Sequence, residues 1–136
     1  MRVFADTHFY VALLGSRDSA HGAAARWQAS PEVREVVTTS WVLVELADCM
    51  RLPHEREVTV RFIAALRQAP QTVVVPVSEA ALWRGFELYR GRTDKEWSIT
   101  DCISFVVLKE QGLTEALTGD RHFEQAGFVA LLRANE

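Results

Sequence analysis

The chain is poor in cysteine: of its 136 residues only Cys49 and Cys102 carry a thiol. They lie far apart in apolar segments, and neither belongs to the paired spacing that holds zinc. That excludes a disulfide-stapled scaffold and a thiolate zinc centre, and leaves two free, buried thiols as the expectation. Long apolar runs are missing as well. No stretch approaches the roughly 20 residues that span a bilayer, and the opening Met1-Arg2-Val3-Phe4-Ala5-Asp6 reaches a carboxylate too soon for a signal peptide. The expected location is therefore cytoplasmic, with no membrane partner. Polar low-complexity tracts, internal repeats and linkers are absent too, which together with 49% hydrophobic and 24% charged residues argues against disorder. The length suits one domain over residues 1–136. Finally, there is no excess of positive charge, the net value being −3. A chain that held nucleic acid mainly by neutralising phosphates would not show that balance, so such a ligand requires a divalent metal or a local basic patch.

What the sequence does contain is alternation. Short apolar or β-branched runs at Val3–Ala5, Val36–Thr39, Thr72–Val75, Ala116–Thr118 and Phe128–Leu131 predict five strands. Between them, helical spacing predicts helices over Ala20–Ala29, Trp41–Leu52, Glu55–Gln68, Glu79–Arg90 and Thr100–Gln111. Pro70 closes one helix and Ser78 is placed to cap the next. Several strands are apolar on both faces, as in a parallel sheet covered on each side. The fold class expected is α/β, a three-layer αβα sandwich around a central parallel five-stranded sheet.

In such sheets ligands bind beyond the carboxyl ends of the strands, at the point where strand order reverses. Asp6 directly follows the first strand and Asp120 follows the fourth by two residues. Asp101 stands in the first turn of a nearly all-apolar helix, and Glu45 interrupts the apolar run Trp41 to Ala47. Taken singly, three of the four have ordinary explanations: Asp6 as a turn or cap residue, Asp101 as the partner of Ser98 in a capping box, Asp120 as the start of a short helix. Glu45 has none, because it lies too far into its helix to cap it and its neighbours are apolar. Four carboxylates at one edge need a cation or protons to offset their repulsion. Magnesium or manganese suits hard oxygen ligands, and either can orient a water for an in-line attack on phosphorus.

The segments Asp6-Thr7, Glu45-Leu46-Ala47, Ser98-Ile99-Thr100-Asp101-Cys102 and Ala116-Leu117-Thr118-Gly119-Asp120-Arg121-His122-Phe123 together resemble the PIN domain, and within it the VapC-type toxins of bacterial and archaeal toxin–antitoxin pairs. That resemblance covers nearly the whole chain. It implies strand order 3-2-1-4-5, divalent-metal-dependent endoribonuclease activity on RNA, a homodimer and a cognate antitoxin that occludes the site. Asp6, Glu45, Asp101 and Asp120 take the places of the family's acidic quartet, with Thr7 and Ser98 in supporting positions. The chain departs from the pattern at His8, where serine, asparagine or another small residue is common and which Phe9 and Tyr10 follow here, and at Asp48, where asparagine is common.

The remaining residues are read more plainly. Arg90, Arg92, Lys95 and Arg121 are candidates for the local basic patch. Trp97 is assigned to packing rather than base stacking, Trp27, Trp41 and Trp83 to the core, Asp48 and Asp94 to the surface, and His122 to a structural motif. His8, His21 and His54 form no ligand spacing. Two competing functions stand beside the nuclease. A metal-dependent phosphatase would use Asp6 as nucleophile, although the second acid two positions on is missing. A catalytically inactive PIN-like module would only bind RNA or a protein.

Overall fold

The computed structural model describes residues 1–133. Its elements run β1 (Arg2–Ala5), α1 (Thr7–Leu14), α2 (His21–Ala29), β2 (Glu35–Thr39), α3 (Ser40–Cys49), α4 (Pro53–Gln68), β3 (Thr72–Val75), α5 (Glu79–Gly91), α6 (Ile99–Glu110), β4 (Glu115–Leu117), α7 (Arg121–Gln125) and β5 (Val129–Ala130). All four strand pairings are parallel, and the order is β3-β2-β1-β4-β5. Strand order therefore reverses between β1 and β4, whose ends lie side by side with Phe4 opposite Ala116 and Ala5 opposite Leu117.

Burial explains the pairing. Val3, Phe4 and Ala5 are all inaccessible to solvent, so β1 presents apolar side chains to both faces of the sheet and needs helices on each. One aromatic chain ties the layers together: Phe4 meets Phe123 of α7 at 6.4 Å, Phe123 meets Phe105 of α6 edge-on at 4.9 Å, and Phe105 meets Trp97 at 5.0 Å. Trp97 is buried and donates its indole N–H to Gln125 at 3.0 Å, which agrees with the packing role. Thr39 accepts the Val42 N–H to start α3, and Ser78 accepts that of Ala81 to start α5.

Four expectations need correction. Helix α1 is absent from the expected elements: THFYVALL is apolar almost all round, packs against α2 and α3 and buries Thr7, Phe9, Tyr10 and Ala12, so no polar face marks its period. The fifth strand is only two residues long, as befits a sheet edge with one neighbour. Cys49 is free but exposed, at the end of α3, and only Cys102 is the buried thiol. Trp83 lies on the outer face of α5, 57% exposed, while Trp27 and Trp41 are half-buried. No helix among the described residues is long and apolar enough to cross a membrane.

Candidate active site

The four acids arrive from four elements. Asp6 is the N-cap residue of α1, immediately after β1, yet its side chain makes no capping bond. Helix capping by its side chain therefore does not account for it. Instead Oδ2 accepts a hydrogen bond from the Thr118 hydroxyl at 3.2 Å, while Oδ1 is buried with no hydrogen-bond partner. The same Thr118 oxygen accepts the Asp120 N–H at 3.0 Å. A single hydroxyl thus joins the residue after β1 to the residues after β4.

Asp101 and Asp120 keep their capping roles and gain others. Asp101 and Ser98 form the expected capping box, with the Asp101 N–H donating to Ser98 Oγ at 3.0 Å and the Ser98 N–H donating to Asp101 Oδ2 at 3.2 Å. Asp120 caps α7 by accepting the His122 N–H at 2.9 Å. His122 then turns its ring back, and Nδ1 lies 3.1 Å from Asp101 Oδ2 and 3.3 Å from Asp120 Oδ1. One donor atom each from Asp101, Asp120 and His122 falls within 4.8 Å of the others, a spacing at which three atoms can share one cation. Glu45 is half-buried on α3, and Thr7 is buried with its hydroxyl unpartnered.

Electrostatics shows how closely these groups are gathered. Burial first, then the charges of Asp101 and Glu45, push Asp6 up to about 7, against the opposing pull of the Thr7 backbone N–H and the Thr118 hydroxyl. Burial, followed by the charge of Asp120, likewise raises Asp101. The acids form a run, Glu45 to Asp6 to Asp101 to Asp120, in which neighbours feel each other's charge. Such a group, with a buried carboxylate oxygen left without a donor, fits a hard divalent cation.

Two residues of this cluster escaped the sequence reading. His122 was assigned to structure alone, and Thr118 to the end of a strand; a hydroxyl at a parallel strand's carboxyl end, two residues before an acid, was the available signal for the latter. Asp48 and Asp94 are exposed as expected, and the Arg92 guanidinium holds the Asp94 carboxyl down to about 2. The basic patch is corrected: Arg90 pairs with Glu87 at 2.8 Å, Arg92 with Asp94 at 3.0 Å and Lys95 with Asp94 at 3.9 Å. Of the four cations named for it, only Arg121 has no ion pair among the described residues.

A family model described as the PIN domain matches residues 3–129. The chain belongs to the PIN-domain family. It is 32% identical over 130 residues to the 23S rRNA-specific endonuclease VapC20 of Mycobacterium tuberculosis, covering 93% of this chain and 95% of that one. The crystal structure of M. tuberculosis VapC20, described as a sarcin–ricin loop cleaving toxin, superposes with a TM-score of 0.84 at 30% identity, over 93% of this chain and 96% of that one. FitAcB from Neisseria gonorrhoeae shares the fold, with a TM-score of 0.63 at 20% identity over 96% and 95% of the two chains. These likenesses bear out the PIN-like fold with strand order 3-2-1-4-5, and the class of metal-dependent endoribonuclease from the toxin side of a toxin–antitoxin pair. They favour the nuclease over the phosphatase.

Proposed function

We propose that residues 1–136 act as a single-domain toxin ribonuclease that uses Mg2+ or Mn2+ to hydrolyse a phosphodiester bond in a structured ribosomal RNA, of the sarcin–ricin loop type that VapC20 cleaves. The observation that carries this reading is the buried, unpartnered Asp6 Oδ1 at the reversal of strand order, within the charge field of Asp101 and Glu45. A divalent cation held there would supply counter-charge for phosphoryl oxygens and Lewis acidity for activating water.

The protein's own residues divide the remaining work. Asp6, Asp101 and Asp120 are the metal-holding carboxylates. Glu45, half-buried on α3, joins them in holding the metal and positioning the attacking water. Ser98 fixes the Asp101 carboxylate through the capping box, Thr118 fixes that of Asp6, and Thr7 brings a buried hydroxyl to the same edge. In the hydrolysis the water oxygen bonds to phosphorus as its proton passes to solvent, the P–O bond to the departing ribose oxygen breaks, and that oxygen takes up a proton from solvent.

The reading extends to a cytoplasmic homodimer and to a cognate antitoxin that covers the site. An exposed aromatic ridge on α5, where Trp83 and Phe86 have ring centroids 5.3 Å apart, supports a self-association surface. The direct test is cleavage of an RNA hairpin carrying the sarcin–ricin loop sequence, with and without chelator. Wild type is expected to cut it only with Mg2+ or Mn2+, and Asp6→Asn or Asp101→Asn to lose at least a hundredfold in rate with an unchanged circular dichroism spectrum. Cleavage by Asp6→Asn at the wild-type rate refutes the site assignment.

A further inference from the structure

Beside the acidic cluster lies a cavity of about 310 Å³, within the roughly 300–1,000 Å³ range of small-ligand pockets. Its walls include His8 of α1, Ser19, Gly22 and Arg26 around α2, and Gly119 after β4. Two of its walls neighbour active-site residues along the chain. His8 stands two residues after Asp6, and Gly119 lies between Thr118, which bonds Asp6, and Asp120. Whatever fills this cavity adjoins whatever the acids hold.

The chemistry of the walls is opposite in sign to that of the acids. Among the described residues, no carboxylate lines the cavity. The Gly119 N–H donates to His8 Nδ1 at 3.2 Å, so the ring's own proton resides on Nε2 and His8 serves as a donor. Arg26 contributes a guanidinium that makes no ion pair among the described residues, unlike Arg90, Arg92 and Lys95 on the loop side. Ser19 adds a hydroxyl. Gly119 keeps this arrangement open. A Cβ on Gly119 would come within 2.6 Å of His8 Cε1, closer than any packed Cβ tolerates.

We infer that this cavity is the subsite for the RNA phosphate neighbouring the one that is cleaved, held by Arg26 and His8. The inference rests on the endoribonuclease reading above. A donor-lined pocket next to a carboxylate cluster matches a polyanion threaded past a cation: one phosphate meets the metal-holding acids, the next meets the guanidinium. It also bears on the question raised by the net charge of −3, because the positive contact is then local, a guanidinium without an ion pair among the described residues, rather than a broad basic face.

The test is a cleavage series on the sarcin–ricin loop hairpin in which each linkage flanking the cut is replaced in turn by an uncharged methylphosphonate. For wild type, one flanking replacement is expected to lower kcat/KM about tenfold. Arg26→Ala should show that loss already on unmodified RNA, chiefly through KM, and lose nothing more when that linkage is neutralised; Arg26→Lys should recover part of it. The slope of log kcat/KM against log salt should fall by about 0.7, the value for one phosphate contact on a single strand. Mn2+ affinity should be unchanged, which separates the subsite from the acids. If the Arg26→Ala loss and the methylphosphonate loss simply multiply at every linkage, the subsite is overturned while the endoribonuclease reading stands. If wild type cleaves no RNA, both fall.

Discussion

At the scale of single residues, Asp6 couples the protein's stability to pH and to metal. Its carboxyl titrates near 3.8 when unfolded and near 7 when folded. Below about pH 4 both states hold the proton and nothing is lost. As pH rises towards 7 the unfolded chain ionises and the folded one resists, so metal-free stability falls across that window. A shift of about three units corresponds to on the order of 4 kcal/mol, and Asp101, raised for the same leading reason, acts in the same direction. The metal-free protein should thus have a higher Tm at pH 5 than at pH 8, and Mg2+ or Mn2+ should restore the deficit at pH 8. Asp6→Asn, which cannot ionise, should flatten the pH profile and abolish most of the metal-induced rise in Tm. A wild-type Tm that climbs steadily from pH 5 to pH 8 without metal contradicts the burial of these carboxylates.

At the scale of elements, the site depends on how β1 and β4 end together. Thr118 is fully buried and its hydroxyl both accepts from Asp120 and donates to Asp6. Thr118→Val keeps the shape and removes both bonds. Such supporting partners are worth about 10–100-fold in metal affinity or activity, so a weakening of Mn2+ binding of that size is expected by calorimetry. A second break can be made from the same loop. Gly119→Ala places a Cβ where the His8 ring lies, so it should displace His8 and raise KM for RNA while leaving Mn2+ binding near wild type. Equal KM for Gly119→Ala and wild type removes His8 from substrate binding. These elements were unevenly legible in the sequence. Strands β1 to β4 were found to within a residue or so because each is a short apolar run bounded by punctuation, and the acids because Asp6 and Asp120 follow such runs. Helix α1 carried no period, since nearly every face of it is apolar, and Asp101 and Asp120 each do two jobs, capping a helix while meeting His122. A cap is visible in sequence; the His122 ring turning back onto both carboxylates is a product of α7 folding against α6. The loop cations failed as a patch for a similar reason, since Asp94 and Glu87 neutralise them only once the loop and helix are formed.

At the scale of the whole molecule, the chemistry occupies one end of the sheet and leaves the outer face of α5 without a use. Trp83, Phe86 and Tyr89 recur at three-residue spacing there, with 57%, 40% and 52% exposure. Three large aromatics on one helical stripe form a contiguous apolar patch of the kind that marks an interaction surface. The charges around them are already matched, Arg90 to Glu87 and Arg84 to Glu110, so they offer little repulsion to a second copy. Helix α5 packs on its other side against α6, whose first turn carries Asp101, and a contact there would buttress the helix that delivers this acid. Trp83→Lys should therefore convert a dimer to a monomer in sedimentation velocity, with the circular dichroism spectrum and Mn2+ affinity preserved and only a modest drop in RNA cleavage. A variant that sediments as wild type moves the self-association surface elsewhere, and a wild type that is monomeric at every concentration measured leaves the α5 ridge to a different protein partner.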